Sequence, residues 1–173
     1  WEDRDIWSQR LVLLTDAQRR TIETRIWDGL REENRYYYYD HFFDNCTTRL
    51  RDMLDEVTGG ALRTGTSDPY PLTFREMGRR GLAEFPPLLA LTDFVIGRQA
   101  EDTPTLWEAM FHPDVLRQVV ELRLGVAPEL IYKRRGPAFP VDGPSGRLPM
   151  LIIALCFAPW KASPTVAAPA LTR

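Results

Sequence analysis

Tyr36-Tyr37-Tyr38-Tyr39-Asp40-His41-Phe42-Phe43-Asp44-Asn45-Cys46-Thr47-Thr48-Arg49-Leu50-Arg51-Asp52 contains the change of period that decides how this chain folds. The four tyrosines and Phe42-Phe43 lack helical spacing and are strand-prone or extended, which predicts a wall beneath the residues that follow. From Asn45 the pattern changes. Cys46, Leu50, Met53, Leu54 and Val57 recur at the spacing of one helix face, Asn45 can cap, and Gly59-Gly60 supplies a left-handed stop. The spacing therefore predicts a helix over residues 46–58 with a thiol in its first turn. Unpaired amides and the positive end of the helix macrodipole favour thiolate there, so Cys46 is a candidate nucleophile. The same position, on one face with Leu50 and Leu54, also reads as a cysteine packing as a small hydrophobe.

Upstream, Ile6, Trp7, Leu11, Val12, Leu13 and Leu14 with polar residues between them suit a strand leading to a turn. Thr15 with Gln18 three residues later is a capping box, and Ile22, Ile26, Trp27 and Leu30 follow at helical spacing, predicting a helix over 16–32. Downstream, residues 62–72 read as a surface loop. Short helices are expected over 73–80, 86–96, 105–111 and 113–124, each with an apolar face and a Pro, Thr or Gly at a boundary. Beyond Gly125 the Pro- and Gly-rich composition is that of a linker. Residues 148–160 are apolar but fall short of the roughly 20 needed to span a bilayer. They read either as a clipped membrane segment, giving membrane association through 148–160, or as an element packed on the core. The expected division is 1–127 as the domain, 128–147 as linker, and 148–173 as apolar segment and Pro/Ala-rich tail.

Composition sets wider bounds. A chain of 173 residues with 44% hydrophobic and 27% charged residues is long enough for one globular domain and does not force two. A net charge of −2 gives no basis for a nucleic-acid partner. Cys46 and Cys156 lie in unlike surroundings, so a disulfide between them is not expected and the redox compartment stays open. The chain opens on Trp1 with no initiator Met or signal-like stretch, which reads as a leader removed or an upstream part absent.

The chemistry-bearing residues cluster in the opening stretch. His41, five residues before Cys46, is a candidate base if a turn brings its imidazole within hydrogen-bond reach; otherwise it is an exposed member of the aromatic cluster. Asn45 joins Cys46 and His41 as a catalytic candidate, and Thr47 extends the polar entrance to the helix. Arg49, Arg51 and Asp52 read as a clamp for an anionic group, as an ion pair anchoring the cysteine helix, or as a solvated face. His112 reads as a polar loop residue before a helix. Two histidines and two scattered cysteines do not make a zinc site, and no phosphate loop or serine elbow is present, so neither metal nor cofactor is expected.

These residues resemble the Lnb N-terminal periplasmic domain family. The resemblance rests on Leu11-Val12-Leu13-Leu14-Thr15 with Gln18, on Tyr39-Asp40, and on the block from Asp44 to Asp52. Thr73-Phe74-Arg75 and the run from Gly97 to Pro113 extend it, so that it covers about residues 5–124. The family is regarded as akin to permuted papain-like and NlpC-like thiol hydrolases. The resemblance thus implies an α+β, papain-like (permuted) fold, predominantly helical in this portion, in the periplasm or cell envelope. It implies hydrolysis of amide or ester bonds through Cys46, with backbone amides at the same helix start as an oxyanion hole and an envelope peptide, lipid or protein as substrate. The family's histidine lies in a Gly-His-like segment well upstream of the cysteine, and no histidine precedes His41 here. The chain therefore reads as a fragment of the full domain, with His41 as the candidate substitute. A non-catalytic helical interaction module of a membrane-associated protein is the alternative.

Overall fold

The computed structural model describes residues 4–12, 14–82, 85–137 and 147–157. In chain order they form β1 (Ile6–Ser8), α1 (Asp16–Gly29), α2 (Cys46–Val57), α3 (Phe74–Leu82), α4 (Pro86–Val95), a 3-10 turn (Arg98–Glu101), α5 (Leu106–Ala109), α6 (Pro113–Leu124), β2 (Glu129–Tyr132) and α7 (Arg147–Phe157). The class is mixed: mainly helical, with one antiparallel pair. β1 and β2 pair as Ile6 with Tyr132, Trp7 with Leu130 and Ser8 with Glu129. Strand β2 lies inside the segment of linker composition. The 138–146 part of that segment and the tail after residue 157 lie outside the described residues.

The core gathers Leu54 of α2, Leu62, Phe74 and Met77 of α3, Ala109 and Met110, and Val115, Leu116, Val119 and Val120 of α6. Phe42 and Phe111 close it on one side. Phe42 packs at a tilt against Phe74 with ring centres 4.7 Å apart and meets Phe111 edge-on at 5.2 Å, the latter a geometry that aromatic quadrupoles favour.

Local signals set the helix ends. Thr15 and Gln18 make the full capping box, and Gln18 Nε2 also donates to the Val57 carbonyl, tying α1 to the end of α2. The end of α2 is a Schellman motif, with Gly60 N–H donating to Asp55 O (2.8 Å) and Gly59 N–H to Glu56 O (3.2 Å). Gly59 sits at positive φ, 69°, as the motif requires of the residue after the cap, and Gly60 follows it at 85°.

Two expectations about faces are corrected. Residues 62–72 are irregular but are not simply a surface loop, because Leu62 and Thr66 are buried. The Asp55 carboxylate accepts from the amides of Leu62 and Arg63 and folds the loop inward. The expected apolar face of α1 is exposed at Ile26, Trp27 and Leu30, and α1 has no buried residue. Its helical spacing supplied a pattern, and tertiary packing did not use it.

Helices α3 and α4 are joined by an ionic cluster. The buried Asp93 carboxylate of α4 takes both arms of Arg79 (3.1 and 2.9 Å) and Nη1 of Arg75 (2.9 Å). Arg75 also donates to the Asp93, Ile96 and Gly97 carbonyls and to Glu101, so its whole guanidinium is used. Removing one partner of such a buried set leaves uncompensated charge, which costs more than the pair itself contributes. Asp93→Ala is expected to destabilise the fold by roughly 3–5 kcal/mol, measured by urea denaturation. A loss below about 1 kcal/mol would mean that Arg75 and Arg79 relax to solvent.

Candidate active site

The first turn of α2 is built from Asn45, the N-cap, in extended backbone conformation (φ −116°, ψ 179°). Its Oδ1 accepts the Thr48 amide (2.9 Å), and Thr48 Oγ1 accepts the Asn45 amide (2.8 Å), a reciprocal capping box. Asn45 Nδ2 donates to the carbonyl of His41 (2.9 Å) and, across the fold, to that of Phe111 (3.2 Å). Asn45 is only 6% exposed. Its carboxamide is thus fully engaged in holding the Asp40–Asp44 turn, the helix start and α5's exit in one place.

Cys46, the first residue of α2, is exposed and free. The expectation that it shares a buried apolar face is corrected. The buried side of α2 carries Thr47, Thr48, Arg51, Leu54 and Asp55, whereas Leu50 is 45% exposed. The helix is turned by about one residue position, ~100°, from the face its apolar residues suggested. The reason is polar: Thr48, Arg51 and Asp55 each find a buried partner, which Cys46 and Leu50 could not offer. Among the described residues the amides of Cys46 and Thr47 hydrogen-bond to nothing, while those of Thr48 and Arg49 are taken by Asn45. Two free donors therefore lie beside the sulfur.

His41 does not reach the thiol. It sits in the turn that the Asp40 carboxylate organises by accepting from the amides of Phe42 and Phe43, and its exposed ring meets Tyr39 edge-on at 5.2 Å. No hydrogen bond links it to Cys46. Tyr39, which entered the sequence reading only in the tyrosine run and the family resemblance, is a side chain that feels Cys46. Desolvation raises its phenol above the ordinary value, and repulsion from Cys46 and Tyr37 adds to this.

The arginines are anchors. Arg49 makes a two-pronged pair with Asp44 (2.8 and 3.1 Å) and lies 3.4 Å from the Tyr37 ring centre. Arg51 is buried, donates to the Trp107 carbonyl (3.0 Å) and to exposed Asp52 (2.8 Å), and stacks on the Trp107 ring at 4.0 Å. Each arginine is thus ion-paired, Arg49 to Asp44 and Arg51 to Asp52. Thr47 and Leu50 line a cleft of about 320 Å³ with Gln9, Leu11, Leu116 and Arg117, so the groove between α2 and α6 opens beside the Cys46 turn. Nothing in the local pattern links Gln9 or Arg117 to it. Among the described residues, no group of three or more His, Cys, Asp or Glu side chains could hold a metal.

His112 is the N-cap of α6, its Nδ1 accepting from the Asp114 amide (3.3 Å). Burial chiefly pushes its imidazole below the ordinary value; Asp114 opposes this, and Arg80 and Arg4 reinforce it. Because the folded value lies below the unfolded value of about 6.5, its contribution to stability is whole above that pH and is lost as the pH falls below it. His112→Asn, which keeps a capping oxygen, is expected to lose less melting temperature than the parent between about pH 7.5 and about pH 5.5. Equal losses would remove His112 from the acid response. Asn45→Asp keeps the cap acceptor but deletes both Nδ2 donors, leaving the Phe111 and His41 carbonyls without them. It is expected to cost roughly 1–3 kcal/mol by chemical denaturation, and an unchanged midpoint would show the cap alone to matter.

Residues 1–80 match the family model of the Lnb N-terminal periplasmic domain. The match includes the tyrosine run, Cys46 and the Thr73-Phe74-Arg75 block, and ends before the Gly97 to Pro113 run. No curated protein and no solved structure matches the chain. Over this first part the chain is similar to a periplasmic domain family, and its place is the periplasm or cell envelope.

Proposed function

We propose that the domain is a cell-envelope thiol hydrolase of papain-like ancestry in which Cys46 is the nucleophile. The observation that carries this reading is the pairing of an exposed thiol at the first position of a capped helix with two unpartnered amides, those of Cys46 and Thr47. In the reaction the thiolate sulfur attacks the carbonyl carbon of an amide or ester, and the two amides donate to the oxyanion. The C–S bond forms and the C–N or C–O bond breaks. The amine or alcohol departs with the thiol proton, and water then cleaves the thioester to release the acid and restore the thiol.

Asn45, Thr48 and Arg49 act as positioning residues for the helix start, Thr47 lends an amide, and Arg51 and Asp52 secure the helix from behind. His41 is the imidazole nearest in sequence, and its ring, which meets Tyr39 and makes no hydrogen bond to Cys46, has to turn before it can take the thiol proton. A base from the upstream histidine segment that the family resemblance implies remains the preferred source.

A second reading, an interaction module without chemistry at Cys46, is favoured by one observation. Leu88, Leu91 and Val95 of α4 and Leu148, Leu151 and Ile152 of α7 face solvent, and α7 packs on α4. Among the described residues no helix is long and apolar enough to cross a membrane.

Cys156, also exposed and free, is a built-in reference thiol near the end of α7. With p-nitrophenyl acetate at about pH 7, Cys46 is expected to acylate at least ~10-fold faster than Cys156 by peptide mass mapping, and iodoacetamide should show the same order. Equal rates at the two cysteines would defeat the nucleophile reading.

A further inference from the structure

Residues 36–39 have the makings of a strand without a partner. Their exposures alternate, 72%, 38%, 99% and 54% from Tyr36 to Tyr39. The rings of Tyr37 and Tyr39 stand 6.2 Å apart, and Tyr39 meets His41 next in line, so residues 37, 39 and 41 form one ladder on one side of the chain. That side is held to the α2 start, because Arg49 lies over Tyr37 and is itself fixed by Asp44. Same-side contacts at every second residue belong to an extended chain.

Every backbone N–H and C=O of Tyr36, Tyr37, Tyr38 and Tyr39 is without a hydrogen bond among the described residues. An extended edge with free donors and acceptors in alternation is a template for another strand.

The occupant follows from the chemistry. Only a polypeptide presents N–H and C=O groups at the matching repeat of about 3.4 Å per residue, which a lipid chain or a sugar does not. A second copy of this chain paired through the same edge would share about four residues, roughly 14 Å of strand. That is far short of the ~1,200 Å² a stable protein interface buries. We propose that residues 36–39 bind an extended peptide by strand addition and lay it along the turn that leads to Cys46. The edge itself is independent of the thiol's chemistry. The corollary, that the bond cleaved at Cys46 is a peptide amide, rests on the nucleophile reading above.

The test is a titration of ¹⁵N-labelled Cys46→Ala protein, in which turnover is impossible, with Ac-Thr-Val-Thr-Val-Thr-NH2 and with its twin N-methylated at every internal amide. Saturable shifts of the 36–39 amides at a Kd of roughly 1 mM with the first peptide, and none with the twin, are expected. Equal effects of both peptides, or no shift at residues 36–39 up to about 10 mM, would overturn the proposal. Concentration-dependent shifts at 36–39 without peptide would overturn it in favour of self-pairing. Acylation of Cys46 is read separately in the parent protein, so peptide binding without acylation removes only the corollary, and acylation without binding removes only the edge.

Discussion

The side chain of Asn45 ties two consecutive pieces of backbone, the Asp40–Asp44 turn and the first turn of α2, to a third that lies 66 residues on, the Phe111 carbonyl before α6. A buried amide must use its hydrogen-bonding groups or incur the cost of desolvating them, so its position is strongly determined. The location of Cys46, one residue on, is inherited from that constraint, and so is its exposure. With Asn45 held inward and Thr47 and Thr48 turned into the fold, the first side chain of the helix is left exposed, near Tyr39.

Polar burial rather than apolar spacing orients α2 throughout its length. Arg51 is spent on the Trp107 carbonyl and ring, and Asp55 on the amides of Leu62 and Arg63. The same logic recurs at Arg75 and Asp93, where one guanidinium is saturated by carboxylates and carbonyls from α4 and the 3-10 turn. The molecule is thus stitched by arginines spent on carbonyls, carboxylates and a ring. Large apolar side chains of α1, α4 and α7 meanwhile stay in solvent.

Much of the fold was legible because its cause was local. The box at Thr15 and Gln18, the stop at Gly59 and Gly60, and the Pro113 start and Gly125 end of α6 all depend on backbone groups within a few residues. The site was legible in part. Asn45 as cap and Cys46 at the helix start depend on the same short-range geometry. The Asn45 link to Phe111 spans 66 residues, and the cleft lined by Gln9, Thr47 and Arg117 draws on three separated segments, so neither had a local signal.

By itself the sequence determined where α2 and α6 begin and end, that one thiol stands in a capped first turn, and that the tyrosine run is not helical. These are decided by propensities, caps and glycine stereochemistry, which act over one or two turns. Tertiary structure alone decided which face of α2 is buried, that Arg51 is spent on the Trp107 carbonyl and ring, and that Asn45 reaches Phe111. Those outcomes depend on whether a distant carbonyl, ring or carboxylate arrives to satisfy a polar group, and desolvation makes that arrival more decisive than the periodicity of apolar residues.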